Sequence, residues 1–366
     1  MTTELLPNHN SQTTVPFDTH KAEVFADSLV ATLNAGGLSL MLSIGHRTRL
    51  FDVMADLPPA TSQQIADAAN LQERYVREWL NALTVGRIVE YQPSDQTYFL
   101  PAEHAAFLTR AAKADNIAVF FQHVSGLGVI EDEIIHCFVN GGGVPYAKFP
   151  RFHAVMAEDS GQTIVNALEE LILPAVPGLI ERLTAGISVL DVGCGRGRAI
   201  AKLAQLFPAS QFTGYDIGED VIAFAQAQTR ELANVQFLAQ DATQITECDR
   251  YDLITTFDAI HDQARPDIVL RNIHRALRSD GVYLMQDIRA SSRVDQNLDY
   301  PLAPFLYTMS CMHCMTVSLA AGGMGLGAMW GREKAIELLR AAGFQNIDRK
   351  ELPHDPMNDY YVIRKG

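Results

Sequence analysis

Cysteine is scarce in this chain: Cys137, Cys194, Cys248, Cys311 and Cys314 are its five thiols among 366 residues. Thiols so few and so unevenly spaced cannot build the disulfide framework of a secreted domain, and they read as reduced. Positive charge is also short, with 29 Lys and Arg against 43 Asp and Glu and a formal net charge of −14. A surface of that sign repels phosphate backbones and anionic lipid, so neither nucleic acid nor a membrane is an expected partner. No run of eighteen apolar residues occurs, and Met1 to Val15 lack the basic-then-apolar order of a secretion signal. A cytoplasmic protein is therefore expected. Internal repeats and low-complexity blocks are missing as well. What remains is 48% hydrophobic and 20% charged, the balance of an ordinary globular protein with length for about two domains.

Changes in periodicity divide the chain. Residues 1–16 read as a disordered tail and 17–110 as a first domain, in which the apolar stretches Lys21–Leu33 and Leu38–Ile44 form two helices separated at Gly36–Gly37. Thr61 followed by Gln64 has the spacing of a capping box and opens a helix over Gln63–Ala69. A second helix starts at Leu71, turns Val76, Leu80 and Leu83 inward, and ends at Gly86. Arg87–Tyr91 and Thr97–Leu100 flank a polar turn and make a small hairpin, so that the whole reads as a winged helix. Residues 111–183 are a helical connecting segment. From 184 to 366, strand and helix patterns alternate, which predicts an α/β domain: a Rossmann-like parallel sheet with helices on both faces. An insertion over 289–330 interrupts it, and runs at Ile347–Leu352 and Tyr360–Ile363 predict a closing antiparallel hairpin at the sheet edge.

The sharpest local signal is Val189-Leu190-Asp191-Val192-Gly193-Cys194-Gly195-Arg196-Gly197, a buried strand running into glycines and then a helix. In open α/β sheets ligands bind beyond the carboxyl ends of strands, where turns without side chains let backbone approach them. The spacing is G-x-G-x-G, not the G-x-G-x-x-G of a dinucleotide site. Such a loop suits the amino-acid tail of a nucleoside cofactor, with the Asp191 carboxylate facing an ammonium or sulfonium. Asp216 ends the next strand, where a carboxylate accepts from both ribose hydroxyls, with Ile217 beside it. Asp241, followed by Ala242, stands after the third strand in reach of an exocyclic amine, and Phe257 and Asp258 close the same rim. Together these positions surround one adenosine.

These residues resemble the class I S-adenosylmethionine-dependent methyltransferases, whose first motif D-V-G-C-G-R-G matches. The winged-helix start, with Gly86-Arg87-Ile88-Val89 and its hairpin, is similar to that of the dimerising small-molecule O-methyltransferases of plants and bacteria. The resemblance implies S-adenosylmethionine as cofactor, S-adenosylhomocysteine as product, a small-molecule acceptor and a homodimer. It also implies a histidine–aspartate pair after the fourth strand, the histidine taking the proton of an acceptor hydroxyl. Thr256-Phe257-Asp258-Ala259-Ile260-His261-Asp262 fits that place, with His261 as general base and Asp262 or another carboxylate orienting it. Gln263 stands where the plant-type pattern has tryptophan, which leaves the acceptor range open. A thiol, metalloid or halide acceptor would need no base, and His261 would then only shape the pocket.

The insertion carries Met309-Ser310-Cys311-Met312-His313-Cys314-Met315 and the glycine-rich run Gly322-Gly323-Met324-Gly325. Met309, Met312 and His313, with Phe152 and Met156 from the connecting segment, are candidates for an adaptable acceptor wall. Cys311, His313 and Cys314 offer three metal donors, but nothing near them completes a tetrahedral set, so no metal site is expected. The glycine run reads as a loop that orders on substrate binding. Two other functions compete. A winged helix beside a cofactor domain also fits a metabolite-sensing regulator, but Glu73, Arg74, Arg77 and Glu78 cancel on the recognition helix. A nicotinamide oxidoreductase fits the sheet but not the glycine spacing.

Overall fold

The computed structural model describes residues 16–366, so the expected tail falls almost entirely outside them. The first domain opens with one helix, α1, Thr19–Thr48, capped by Asp18, whose Oδ1 accepts from the Lys21 N–H at 3.0 Å. It runs straight through Gly36–Gly37, against the expected break. A helical glycine costs only about 1 kcal/mol, and an established helix propagates across it. Its hydroxyls stay within the helix: Thr32 and Ser39 donate to the carbonyls of Ser28 and Ala35. By length and composition α1 could cross a membrane, with an 18-residue window of mean hydropathy 1.4, of which 17% is buried.

Three shorter helices follow, α2 at Leu50–Ala55, α3 at Ser62–Ala69 and α4 at Glu73–Val85, then a wing of β1, Glu90–Gln92, against β2, Thr97–Phe99. Both limbs of the Thr61–Gln64 capping box are present. The last turns of α1 enter this domain's core: Trp79 Nε1 donates to the Met41 carbonyl at 2.8 Å, and its ring lies 5.3 Å from that of Phe51. Arg110, the last residue of the first domain, is tied to this core through Asp52, 2.7 Å, and the His46 carbonyl, 2.9 Å. Glu158, farther along, accepts from His46 and Gln122, each at 2.9 Å, and the His46 bond does most to hold its carboxyl down near about 2.

The second domain is a seven-stranded sheet: β3, Ser188–Val192; β4, Gln211–Asp216; β5, Val235–Ala239; β6, Tyr251–Phe257; β7, Leu277–Ile288; β8, Asn346–Lys350; and β9, Asn358–Arg364. Their spatial order is β5-β4-β3-β6-β7-β9-β8. β3 to β7 run parallel, and β9 lies antiparallel between β7 and β8. The closing hairpin is thus present, but of its two strands it is β8 that forms the edge. β9, with Tyr360, Tyr361, Val362 and Ile363 all buried, is an interior strand, and such an unbroken apolar run is what an interior position requires. Helices Arg198–Leu206 and Glu219–Gln228 cover one face, and Pro266–Ala276 and Gly331–Ala341 the other. Strand order reverses at β3, which opens a crevice at the carboxyl ends of β3, β4 and β6.

Candidate active site

The glycine loop leaves β3 and folds back over β4, the Gly193 and Cys194 amides donating to the Tyr215 carbonyl at 2.8 and 3.0 Å. Its glycines serve different ends. A Cβ on Gly193 would lie 2.6 Å from that of Ala259, and one on Gly197 would strike the Phe237 ring, so these two allow close packing. Gly195 has φ +53 and open space where a Cβ would stand. It alone matches the expectation of clearance for a ligand. Asp216 pins this cradle: Oδ2 accepts from the Gly195 amide at 2.8 Å and Oδ1 from Gly218 at 2.9 Å, which leaves each oxygen a further lone pair. Ile217, 70% exposed, offers an apolar surface beside it.

Asp191 is buried at the end of β3, and its Oδ1 accepts from Thr255 Oγ1 across the sheet at 2.7 Å. Burial raises its carboxyl to about 7, with Thr255 opposing and Asp216 reinforcing the shift. A buried acid under that strain fits a ligand that brings a positive charge. Asp241 is exposed and caps the short helix Ala242–Gln244 by accepting from the Thr243 amide at 2.8 Å. Ala242 is buried, its carbonyl held by Asn272. Phe257 and Asp258 form the far rim, Asp258 in the left-handed region at φ +54. Cradle, paired carboxylate and buried acid all fit the methionine tail, ribose and charge of S-adenosylmethionine.

His261 stands in the turn after β6, two residues beyond the Ala259 that packs on Gly193. Its ring is enclosed, with Nδ1 2.8 Å from Asp287 Oδ1 and Nε2 3.1 Å from Asp262 Oδ1. Asp258 Oδ1 is 3.7 Å from Nδ1. Burial works against its proton, but Asp287, Asp262, Cys314 and Asp258 outweigh that and raise its pKa well above the usual imidazole value. Asp287 also accepts from Trp330 Nε1 and from the Ile288 amide, both at 2.9 Å. Tyr146 donates to Asp262 Oδ2 at 2.9 Å.

On the acceptor side, His313 is buried with neither ring nitrogen hydrogen-bonded. Phe152 stacks on it at 3.7 Å between ring centres, and Phe149 meets it edge-on at 4.6 Å. Burial lowers its pKa to about 4, so it is neutral. Met309 and Met312 pack around the same aromatic group. Phe152 and Met309 line a cavity of only 20 Å³, room for little more than a water. Met156 is half-buried on the same helix as Phe152 and does not line that cavity. The glycine run of the insertion is pinned to the residues after His261: Met324 N–H donates to the Ala264 carbonyl at 2.9 Å, and Ser318 Oγ to the Gln263 carbonyl at 2.9 Å.

Sequence reasoning did not single out Asp287, Trp330 or Tyr146. Asp287 carries the signal that found Asp216, a carboxylate at the end of a buried strand, whereas Tyr146, 116 residues from Asp262, carries none.

The comparisons with known proteins divide the chain as its two domains do. A family profile for the Rv2258c-like winged HTH domain matches residues 36–110, and one for a methyltransferase domain matches 183–338. The malonyl-acyl-carrier-protein O-methyltransferase of Bacillus cereus is 30% identical over 148 residues, 40% of this chain and 49% of its own length. The fatty-acid O-methyltransferase of Mycolicibacterium smegmatis is 32% identical over 105 residues, 28% of this chain and 38% of its own. The chain thus spans half or less of the length of these curated relatives. Human N-acetylserotonin methyltransferase, solved in complex with SAM, has the same fold, with a TM-score of 0.67 at 16% identity over 93% of this chain and 97% of that one. By these profiles the chain joins a winged HTH domain of the Rv2258c-like family to a methyltransferase domain, in a fold shared with the SAM-bound human enzyme.

Proposed function

We propose that the protein methylates a hydroxyl group of a small-molecule acceptor, with His261 as general base. The observation that carries this reading is the buried His261–Asp287 pair, 2.8 Å apart at the end of β6 and against the glycine loop. S-adenosylmethionine supplies an electrophilic methyl group. The chain's part is to hold the acceptor oxygen in line and to take its proton. Positioning supplies most of the acceleration and the base about 10²–10⁴-fold. Asp287 fixes the ring through Nδ1, while Nε2 faces Asp262 Oδ1 at 3.1 Å, so an acceptor hydroxyl reaches Nε2 by taking that carboxylate oxygen's place. The carboxylates that raise His261 also set a direction: its base form gains population, and turnover climbs, toward alkaline pH.

The cofactor is held by Asp216 on the ribose, Gly195 under the methionine tail, Asp191 toward the positive charge and Asp241 at the adenine. Phe152, Met309, Met312 and His313 wall the acceptor side. A second copy of the chain covers α1, whose Phe25 and Leu33 are 63% and 76% exposed. Its polar Ser28, Thr32 and Ser39 and its last turns, which enter the winged-helix core, suit a protein partner better than lipid. The arginines of α4 are occupied by Glu78 and Glu73, which supports dimerisation over DNA contact.

The test is S-adenosylhomocysteine release over a panel of phenols, amines, thiols and inorganic nucleophiles, parent against His261→Ala. Reaction with phenols, and a loss of about 10²-fold or more in kcat with cofactor affinity kept, is the expected result. Reaction with thiols or inorganic nucleophiles at an unchanged rate in the variant would replace this reading with that of a soft-nucleophile methyltransferase.

A further inference from the structure

One group of side chains behind the proposed base has donors in excess of what the methyl-transfer reading uses. His261, Asp262 and Cys314 each present a ligand atom, and the three atoms lie within 4.8 Å of one another. His261 Nε2 lies 3.1 Å from Asp262 Oδ1. Asp262 Oδ1 faces His261 Nε2 without the geometry of a hydrogen bond, and both ring nitrogens of His313 are buried without a hydrogen-bond partner. His313 Nδ1 is 3.9 Å from Asp262 Oδ2. Buried donors and acceptors are nearly always satisfied, so the partnerless imidazole of His313 next to Asp262 points to a missing ligand.

We propose that this cluster is a zinc-class divalent metal site made by His261 Nε2, Asp262 and Cys314 Sγ, and that a metal there inhibits the enzyme. Nitrogen, oxygen and sulfur donors together are the set that zinc prefers. Bond lengths of about 2.0–2.3 Å place tetrahedral donors about 3.3–3.8 Å apart, which small side-chain adjustments reach from atoms already within 4.8 Å of one another. The surrounding contacts are those that orient metal ligands: Asp287 holds Nδ1 of His261, Trp330 holds Asp287, and Tyr146 holds the second oxygen of Asp262. The Cys-x-x-Cys spacing is not the chelate, because Cys314 alone belongs to the cluster. Metal on Nε2 occupies the lone pair that an acceptor proton would need; this inhibitory part rests on the base reading above, whereas the binding site does not.

Cobalt(II) titration of the full chain reads the site directly. One equivalent is expected to give the near-ultraviolet thiolate-to-cobalt band, retained in Cys311→Ser and lost in Cys314→Ser. Zinc, measured against a chromophoric chelator, is expected to bind at least tenfold more weakly to Cys314→Ser than to the parent. Absence of the band, or a band that survives in Cys314→Ser, overturns the site even if methyl transfer is active. With an acceptor from the panel, zinc should lower the parent's rate at least tenfold, reversibly with chelator, and leave the rate of Cys314→Ser unmoved. Binding without inhibition would overturn the inhibitory role while leaving the site. If no acceptor reacts, the cobalt band still decides whether the site exists.

Discussion

Asp191 concentrates the cost of building a cofactor site before the cofactor arrives. An aspartate in an unfolded chain titrates near about 3.9, whereas burial brings this one to about 7. Between those values the folded protein holds a proton that the unfolded chain has lost, so stability falls as pH rises through that window and levels off above it. Asp191→Asn keeps an oxygen for Thr255 and removes the charge. Its Tm at pH 8 is expected to exceed the parent's by at least about 2–4 °C, the shift that about 1 kcal/mol produces in a domain of this size. Calorimetric titration with S-adenosylhomocysteine should show at least tenfold weaker binding. A variant with unchanged Tm and affinity would remove Asp191 from the site. The residue was legible because a carboxylate ending an apolar strand before glycines has few other uses; its bond to Thr255, which depends on the neighbouring strand, was not.

At the scale of the element, the glycine loop separates two demands that its sequence merges. Gly195→Ala meets open space and pays only for a left-handed φ, about 1–2 kcal/mol. Gly197→Ala adds a collision with the Phe237 ring, and overpacking of that kind costs typically about 1–3 kcal/mol more. Melting curves should therefore fall further for Gly197→Ala, while S-adenosylhomocysteine titration should show the greater loss of affinity, per degree of Tm lost, for Gly195→Ala. The reverse ranking would place the ligand elsewhere on the loop. Strands and helices of the sheet were readable from period alone, since each buries a face that its own sequence declares. Gly36–Gly37 misled because glycine marks a helix end only where the chain must turn, and α1 has nothing to turn toward. The interior place of β9 was written in its uninterrupted apolar run, although adjacency in sequence pointed to a simple edge hairpin. Tyr146 and Trp330 reach the site from the connecting segment and the insertion, and such long-range meetings leave no local trace.

For the whole molecule, the proposed dimer turns on the exposed face of α1. Replacing Leu33, 76% exposed, by Asp removes apolar area from a dimer contact and buries a charge in its place. Light scattering at micromolar concentration is expected to show a dimer for the parent and a single chain of 40.3 kDa for Leu33→Asp; a parent that is already a single chain would end the second-copy reading. Architecture also separates the two binding tasks. The residues proposed for the cofactor lie between Asp191 and Asp258, whereas the acceptor walls come from two distant stretches, Tyr146 to Met156 and Met309 to Met315. Natural variation can therefore rewrite which molecule is methylated, one wall at a time, while the grip on the methyl donor is inherited unchanged.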